Sequence, residues 1–380
     1  MAERVPAEVF PPGEFIKEEL EARGWTQTDL AAILGRPFQL VNEILAGKRA
    51  ISPETAQGLG EAFGTGAQLW MNLESTYRLS RTKPRDDSVV RRARLFEKAP
   101  IKEMIRRHWI EPSESIDVVE KQVCEFYHIS DLDQEPTLWP HAARKPLAQE
   151  DATPTQTAWL FRVRQLAEAL DTPPFSQASL KTCLGKLDAI KHEEEEARHA
   201  PRILMEAGIR FVVVEPLPKT RIDGICLWLD RHSPVVALSF RYDRIDWFWF
   251  TLMHELWHVK NGDGLEKPGV IDVNLVGQGA LSTDQKPESE RLADSFAADF
   301  LVSRKALESF IIRQGPLFSK RKIRGFALLH KVHPGIVAGQ LQRRGEMKFS
   351  HNREMLVKVR HIVASSALTD GWGNSIEVSL

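Results

Sequence analysis

The chain has 380 residues, which is more than one ordinary hydrophobic core holds and indicates two or three domains. Apolar residues make up 42% and charged residues 27%, as in ordinary globular proteins, and the net charge of −1 excludes a general polycation. No stretch approaches the roughly 18 consecutive apolar residues of a transmembrane helix, and the N-terminus has no apolar signal segment. We therefore expect no membrane partner and a cytoplasmic location.

The three cysteines, Cys124, Cys183 and Cys226, lie far apart and form no Cys-x-x-Cys pair. This spacing argues against a disulfide framework and against a thiolate zinc site, and it fits a reducing cytosol. We expect all three cysteines to be small core residues.

Residues 14–80 show a series of short helical patterns: "EFIKEELEARG", "TQTDLAAILG", "RPFQLVNEILAG", "SPETAQGLGEAFG" and "AQLWMNLESTYRL". In the second pattern Thr26 is the predicted N-cap, and Asp29 occupies the acidic position of a capping box. The third begins at Pro37, which suits a first helical turn, and ends at Gly47. Two short helices joined by a tight turn predict a helix-turn-helix unit.

Five side chains of this unit are candidates for contacts with DNA. Gln27 begins the first helix of the pair and can reach a phosphate. Gln39 and Asn42 face outward from the second helix, where their amides can pair with adenine edges. Lys48 and Arg49 follow in the next loop and are placed for backbone phosphates. Spacing alone leaves a plain helical bundle open as the alternative.

The segments "WTQTDLAAILG" and "VNEILAGKRAISPETAQGLGEAFGTGAQLWMNL" closely resemble the HigA-type antitoxins of the Xre helix-turn-helix class, over about residues 10–80. The resemblance implies a homodimeric repressor that binds its own double-stranded DNA operator, and a cognate toxin as partner. Pro37-Phe38 stands where that family tends to have Ser-Arg, so the operator sequence does not carry over.

The polar segment "SRTKPRDD" breaks the helical pattern and predicts a boundary at Pro84. From Arg78 to Arg107 there are eleven Lys and Arg against four Asp and Glu. Two interpretations remain open: the solvated face of a helical connector, or a stretch that attracts DNA phosphates. Residues 88–200 are predicted to be mostly helical.

Three short β-branched and aromatic runs follow, "GIRFVVVEP", "GICLWLD" and "SPVVALSF", and predict a small sheet. Next comes "RIDWFWFTLMHELWHVKNG", a predicted long helix that ends at Gly262. "ESERLADSFAADFLVS" and much of 304–345 are also predicted to be helical. The strand before the long helix is expected to bind an extended substrate by edge addition.

His254 and His258 are four residues apart, so a helix presents both imidazoles on one face, where they can hold one metal ion. In a His-Glu-x-x-His motif the glutamate, here Glu255, is the general base and not a ligand. Zinc takes nitrogen and oxygen ligands in a tetrahedral arrangement, so a third protein ligand is needed.

Glu290 is the predicted third ligand, and Asp294, one helical turn later, is predicted to hydrogen-bond the outer nitrogen of a ligating histidine. Glu288 is the alternative ligand, although no acidic residue follows it at the same spacing. His330 and His333 are weaker candidates for donors to a transition state, and a helix surface is their alternative location.

"FTLMHELWH" followed by "ERLADSFAADFLVS" resembles the ImmA/IrrE family of bacterial metallopeptidases, over about residues 200–345. The resemblance implies zinc, a gluzincin-like fold and cleavage of a partner repressor. Trp257 stands where that family usually has glycine, and Val302-Ser303 replaces its Met-Pro. Neither change removes a ligand, but Trp257 narrows the expected cleft.

The expected architecture is multidomain: an all-α helix-turn-helix domain (1–84), a helical connecting region (85–200), an α+β zincin-like domain with a small sheet (201–345) and a tail (346–380). The expected function is a DNA-binding regulator or antitoxin whose domain, with one Zn²⁺ per chain, hydrolyses a peptide bond in a partner protein. The alternative is a non-enzymatic antitoxin whose zincin-like domain senses metal, a ligand or a toxin. Self-cleavage near 81–87 is a third hypothesis.

Overall fold

The computed structural model describes residues 9–82, 87–138, 152–265, 272–273 and 286–372. The chain divides into two compact units, Met1–Val89 and Val90–Leu380. Among the helices in these ranges, none combines the length and the apolar character that crossing a membrane requires.

The described residues of the first unit form helices, and the ends of these helices follow the capping residues of the sequence. Thr26 accepts a hydrogen bond from the Asp29 backbone N–H while the Asp29 carboxylate accepts one from the Thr26 backbone, so the predicted capping box is present. Gly24 and Gly35 end their helices in the left-handed conformation. The helices are α1 Pro12–Arg23, α2 Gln27–Leu34, α3 Phe38–Leu45, α4 Pro53–Phe63 and α5 Ala67–Arg81.

One hydrophobic core holds this unit together, with Ile16, Leu30, Val41 and Leu59 almost completely buried. Trp70 closes the core from α5, and its indole N–H donates to Thr65 Oγ1 at 2.9 Å. The helical spacing of the apolar residues therefore fixes which face of each helix is left for solvent and for a ligand.

After residue 87 the chain alternates helices with a small sheet. The helices before the sheet are α6 Ser88–Lys98, α7 Ile101–Arg106, α8 Ile116–Tyr127, α9 Pro154–Glu168, α10 Gln177–Ile190 and α11 Ala200–Glu206, with a 3-10 turn at Glu195–His199. Those after its third strand are α12 Ile245–Asn261, α13 Glu288–Leu301, α14 Arg304–Gln314, α15 Lys320–Leu329, α16 Pro334–Arg343 and α17 Arg360–Ala364, with a 3-10 turn at Arg353–Met355.

The sheet is mixed, and its strands are β1 Arg210–Val213, β2 Ile222–Trp228, β3 Pro234–Leu238, β4 Asp272–Val273 and β5 Leu368–Thr369. Their order is β4-β2-β3-β1-β5. The last strand comes from the predicted tail, and it pairs with β1 in parallel.

The prediction that the strand before the long helix binds substrate at a free edge is wrong. That strand is β3, and both of its edges are occupied. Val236 pairs with Cys226 of antiparallel β2 on one side and with Phe211 of parallel β1 on the other. A strand whose backbone groups pair on both sides has no row of donors and acceptors left for a peptide.

Both faces of the sheet are covered, because alternate strand residues enter two different hydrophobic clusters. Val236 and Leu238 join a cluster with α12 and the C-terminal helices, whereas Val235 and Ala237 join one with α7, α8 and α9. Trp159 of α9 fixes the second layer by donating to the Val214 carbonyl at 2.9 Å. Helices from the predicted connecting region thus form one side of the sheet's core, and both clusters cross the predicted boundary near residue 200.

Candidate metal centre and nucleic-acid interface

The long helix α12 carries the His-Glu-x-x-His motif in a buried position. It packs against β2, β3, α13 and α16, and 14 of its 17 residues are buried. Because the buried part of this helix has no solvent face, its buried polar residues must meet partners inside the protein. His254 and Glu255 are fully buried, and His258 is 5% exposed.

The structure brings His254, His258 and Glu290 together in one cluster. Their ligand atoms all lie within 4.8 Å of one another. The distance from His254 Nε2 to His258 Nε2 is 3.2 Å, and that from His254 Nε2 to Glu290 Oε2 is 3.1 Å. Two imidazole nitrogens and one carboxylate at this spacing fit the donor set of a three-ligand zinc site.

The outer nitrogens of both histidines contact carboxylates, which fixes how the rings are oriented. His254 Nδ1 lies 3.1 Å from Asp294 Oδ1, the predicted partner, and His258 Nδ1 lies 2.8 Å from Asp263 Oδ2. With the proton on Nδ1 donated to these carboxylates, each ring presents its Nε2 lone pair to the cluster.

Asp263 was not among the residues predicted from the sequence, and its position follows from the end of the helix. Gly262 adopts the left-handed conformation, and the Asp263 N–H donates to the His258 carbonyl at 3.0 Å. This Schellman closure folds the chain back over the last turn, so that the Asp263 side chain reaches the His258 ring. The signal in the sequence was "HVKNGD", a helix-ending glycine followed by an acid.

Asp294 is surrounded by cations as well as by His254. Its Oδ2 atom lies 2.7 Å from Lys286 Nζ and 3.0 Å from Arg343 Nη2. Burial raises the pKa of Asp294, but the hydrogen bond from His254 and the charges of Arg343 and Lys286 outweigh it and hold that pKa well below its usual range. The carboxylate that holds the His254 ring is therefore ionised near neutral pH.

Glu255 has space for its carboxylate because residue 224 is a glycine. A Cβ atom at Gly224 of β2 would lie 2.5 Å from Glu255 Oε1 and 3.0 Å from Thr251 Cγ2. The strand backbone therefore approaches α12 as closely as only glycine allows at this position. The sequence pattern predicts Gly224 at the start of a strand, but no local signal in it predicts this role.

Other candidates lie outside the cluster. Glu288 is exposed at the start of α13, so it is Glu290 that faces the two histidines. His333 accepts a hydrogen bond from the Gly335 N–H as the N-cap of α16, and His330 is exposed and packs its ring on Phe326. The Trp257 ring lies edge-on to His258, with 5.2 Å between ring centroids.

In the first unit, α2 and α3 form the predicted helix pair, and their candidate DNA contacts are linked to one another. Asn42 Nδ2 donates to Gln27 Oε1 at 3.2 Å across the two helices. Gln39 and Arg49 each donate to a different oxygen of Glu43, both at 3.1 Å. These hydrogen bonds hold the side chains on one exposed surface before any ligand binds.

Two further side chains, Phe38 and Lys48, are exposed on this surface. Phe38, the first residue of α3, is 51% exposed beside Gln39 and Asn42. An exposed aromatic ring at the start of such a helix is a suitable contact for a thymine methyl group. Lys48 is exposed in the loop after α3, where the sequence predicted phosphate contacts.

Four of the cations in the basic stretch between residues 78 and 107 have partners within the described part of the chain. Arg91 pairs with Glu120 and Asp117, both at 2.6 Å, and Arg94 and Lys98 pair with Asp133 and Glu135. Arg107 is buried and donates to the carbonyls of Glu215 and Pro216. These contacts argue against phosphate attraction by these four residues, and the burial of Arg107 shows that this residue does not belong to a solvated face.

Comparisons with known proteins place similarity in the N-terminal part of the chain. Residues 16–70 match the helix-turn-helix family HTH_3. Virulence-associated protein A of Dichelobacter nodosus is 40% identical over 75 residues, which cover 19% of this chain and 74% of that protein.

Two solved structures are similar over the same share of the chain. An addiction module antidote protein of the HigA family from Coxiella burnetii is 30% identical, with 20% of this chain and 97% of that one covered and a TM-score of 0.18. PA4674 from Pseudomonas aeruginosa, solved in complex with its 18-base-pair operator DNA, is 37% identical, with 20% and 81% covered and a TM-score of 0.19.

Proposed function

The chain belongs to the helix-turn-helix family through its N-terminal domain, and on this premise we propose that it is a DNA-binding regulator of the antitoxin type with a zinc-dependent peptidase domain. The observation that carries the second part is the buried cluster of His254, His258 and Glu290 with Glu255 beside it. The peptidase would act on a peptide bond of a partner protein.

The DNA-binding part uses α3 as the recognition helix in the major groove. Asn42 and Gln39 offer amides to adenine edges, and Phe38 offers its ring to a thymine methyl group. Gln27, Lys48 and Arg49 supply phosphate contacts that set the register on the duplex. An eight-residue recognition helix reads only a few base pairs, so a homodimer on two half-sites is the proposed form.

In the peptidase part, His254, His258 and Glu290 would hold Zn²⁺. When bound there, zinc supplies Lewis-acid activation of water and of the substrate carbonyl. Asp294 and Asp263 hold the two imidazoles in the orientation that binding requires. Glu255 accepts a proton from the attacking water and returns it to the leaving amine.

Hydrolysis is tested by incubating the zinc-loaded full chain with a mixed library of unstructured peptides and identifying products by mass spectrometry. Cleavage by wild type is expected, with a rate about 100-fold or more lower for Glu255→Gln, since positioned general bases contribute roughly that much. Glu288→Gln, which changes an exposed glutamate of α13, is the matched control and should keep the wild-type rate. Cleavage by Glu255→Gln at the wild-type rate would refute the mechanism.

A second function, metal or ligand sensing without hydrolysis, is favoured by burial. The side chains of the proposed site are between 0% and 6% exposed, whereas a catalytic site must admit water and a substrate. These residues are His254, Glu255, His258 and Glu290. A sensor needs the ligands but not the base. If the Glu255→Gln variant changes its affinity for operator DNA in response to zinc as wild type does, the result would support sensing by an antitoxin. A cognate toxin is then a further proposed partner.

Self-cleavage between the domains concerns residues 81–87, of which 83–86 lie outside the described residues. The intact mass of the chain after incubation with zinc tests it. Fragments that end within this segment for wild type, and their absence for Glu255→Gln, would identify the chain as its own substrate.

A further inference from the structure

A large groove lies beside the cluster of His254, His258 and Glu290. It is on the surface formed by α13, the start of α14 and the end of α16. Its volume is about 920 Å³, within the usual range for pockets that hold small molecules. Besides apolar side chains such as Leu292 and Phe296, five cationic side chains line it: Arg291, Arg304, Lys305, Arg343 and Arg344. We refer to it as the basic groove.

The positive charge of the basic groove exceeds what its own acids neutralise. Asp294 and Asp299 are the carboxylates among the lining residues, and Asp299 is occupied as an acceptor for the Arg304 backbone N–H. Glu308, at 3.5 Å from Arg304 and 3.9 Å from Arg344, serves two arginines at once. Within the described ranges, Arg291 and Lys305 make no ion pair.

The start of α14 adds to this excess. Arg304 and Lys305 are the first two residues of an 11-residue helix, and Ser303 makes no side-chain capping hydrogen bond. The helix dipole places partial positive charge at this end, where the Asp299 carboxylate already accepts a hydrogen bond from the Arg304 N–H. Lys305 makes no ion pair within the described residues, so it is the cation at this helix start that can contact a bound anion.

Two buried polar atoms of α16 lack hydrogen-bond partners within the described residues. Gln340 is 6% exposed; its Nε2 donates to the Ala298 carbonyl, while Oε1 is buried without a hydrogen-bond partner in the described part of the chain. Arg343 Nη1 is likewise buried without such a partner in those residues. Both side chains line the groove. Because buried polar groups are satisfied by protein, water or a ligand, these two atoms are available to a molecule bound in the groove.

We propose that the basic groove binds a small, hydroxyl-bearing organic molecule with two or more negative charges, such as a phosphate ester or a hydroxy-polycarboxylate. Arg291, Lys305 and the start of α14 contact the charges, and Arg343 Nη1 donates to one of them. A ligand hydroxyl donates to Gln340 Oε1. Phe296 provides an apolar surface at the edge of the groove.

Binding in the basic groove is linked to the metal cluster through Arg343 and Asp294. Arg343 lies 3.5 Å from the centre of the Phe250 ring and pairs with Asp294, which in turn holds His254. An anion that draws the Arg343 guanidinium away leaves the Asp294 carboxylate more strongly bonded to His254, which makes that imidazole a better ligand. This linkage rests on the proposed zinc site, whereas anion binding itself does not.

The test is isothermal titration calorimetry of the full chain, stripped of metal with EDTA, against ADP, citrate and inorganic pyrophosphate at low ionic strength. Wild type is expected to bind ADP or citrate more tightly than pyrophosphate, which has no hydroxyl on carbon. The first two probes distinguish phosphate from carboxylate ligands. The double substitution Arg291→Glu with Lys305→Glu should weaken binding at least about tenfold, since charge-assisted hydrogen bonds are lost.

Arg313→Glu is the matched control, because Arg313 is an exposed arginine on α14 that does not line the groove. It should bind the probes as wild type does, and thermal melts confirm that all variants are folded. Absence of binding by wild type, or equal binding by the double variant, would overturn the proposal. The proposal would also be overturned if wild type bound no small anion and the double variant lost affinity for DNA. The groove would then bind nucleic acid.

The linkage is measured separately, by competition for zinc with a chelator in the presence and absence of the bound anion. An increase in zinc affinity of about fivefold is expected, at the lower end of usual coupling between sites. Anion binding by a chain that holds no zinc would leave the basic groove intact and remove only the metal site. Zinc affinity unchanged by the anion would overturn the linkage.

Discussion

The two units present their functional side chains in opposite ways. On the helix-turn-helix surface, Gln39, Asn42 and Lys48 are exposed, and Gln39 and Asn42 donate hydrogen bonds to the half-buried side chains of Glu43 and Gln27. In the second unit, His254 and His258 are buried and are held by carboxylates. We therefore expect DNA to be contacted by side chains that are held only by one another at the surface, and a metal ion to need ligands that buried neighbours orient.

This comparison implies that substitutions near the buried cluster act on stability or metal affinity with large effects, while substitutions on the exposed surface act on DNA affinity with small ones. Four substitutions test it, from the largest expected effect to the smallest.

Gly224→Ala tests the packing around Glu255 and has the largest expected effect. The added Cβ would lie 2.5 Å from Glu255 Oε1, so strand or helix must shift, at a cost of about 2–3 kcal/mol. Gly325→Ala is the control, because a Cβ there meets nothing within 4 Å and the change should stabilise helix α15 by up to about 1 kcal/mol. Urea denaturation measures both. Equal stability of Gly224→Ala and wild type would show that Glu255 is not confined by the strand.

Asp263→Asn tests whether the buried carboxylates orient the ligands. Loss of the charge next to His258 Nδ1 should lower zinc affinity about 10- to 100-fold without unfolding the chain. A chelator competition assay measures the affinity, and Asp171→Asn, at an exposed position, should leave it unchanged. Unchanged affinity in Asp263→Asn would mean that the Schellman turn has a structural role only.

Much of this architecture follows from sequence, because it depends on local spacing. The four-residue interval of the two histidines, the capping box of Thr26 and the β-branched runs each predict a local geometry, and the structure has a helix or strand at each. The Glu290–Asp294 interval likewise places both acids on one helix face.

What sequence could not give depends on contacts between distant segments. The role of Gly224 depends on how closely β2 approaches α12, and the order of the strands decides that β3 has no free edge. The sharing of Arg343 between the basic groove and Asp294 joins residues 49 positions apart in the chain. No local period contains such information.

Asn42→Ala tests the exposed surface. In the unbound chain Asn42 already donates to Gln27, so contact with an adenine replaces an existing hydrogen bond. We expect a loss of about 1 kcal/mol in specific DNA binding, at the low end for a base contact, and relaxed preference at one base pair. Selection from a random duplex library followed by fluorescence anisotropy measures both. Asn72→Ala on α5 is the control, and an identical loss there would indicate an indirect effect.

Lys48→Ala should have the smallest effect. A phosphate contact carries no sequence information, so affinity should fall uniformly across duplexes, and the slope of log K against log salt should shrink by about 1. Lys17→Ala, at an exposed lysine of α1, should leave the slope unchanged. A change in sequence preference with Lys48→Ala would show that this lysine reaches the bases.

The buried cluster is tested most directly by the metal content of the chain purified without chelators, by mass spectrometry of the elements, for wild type and Glu290→Ala. We expect about one zinc ion per wild-type chain and loss of it in Glu290→Ala, since the third ligand is removed. Wild type without metal, or Glu290→Ala that retains it, would contradict the three-ligand centre.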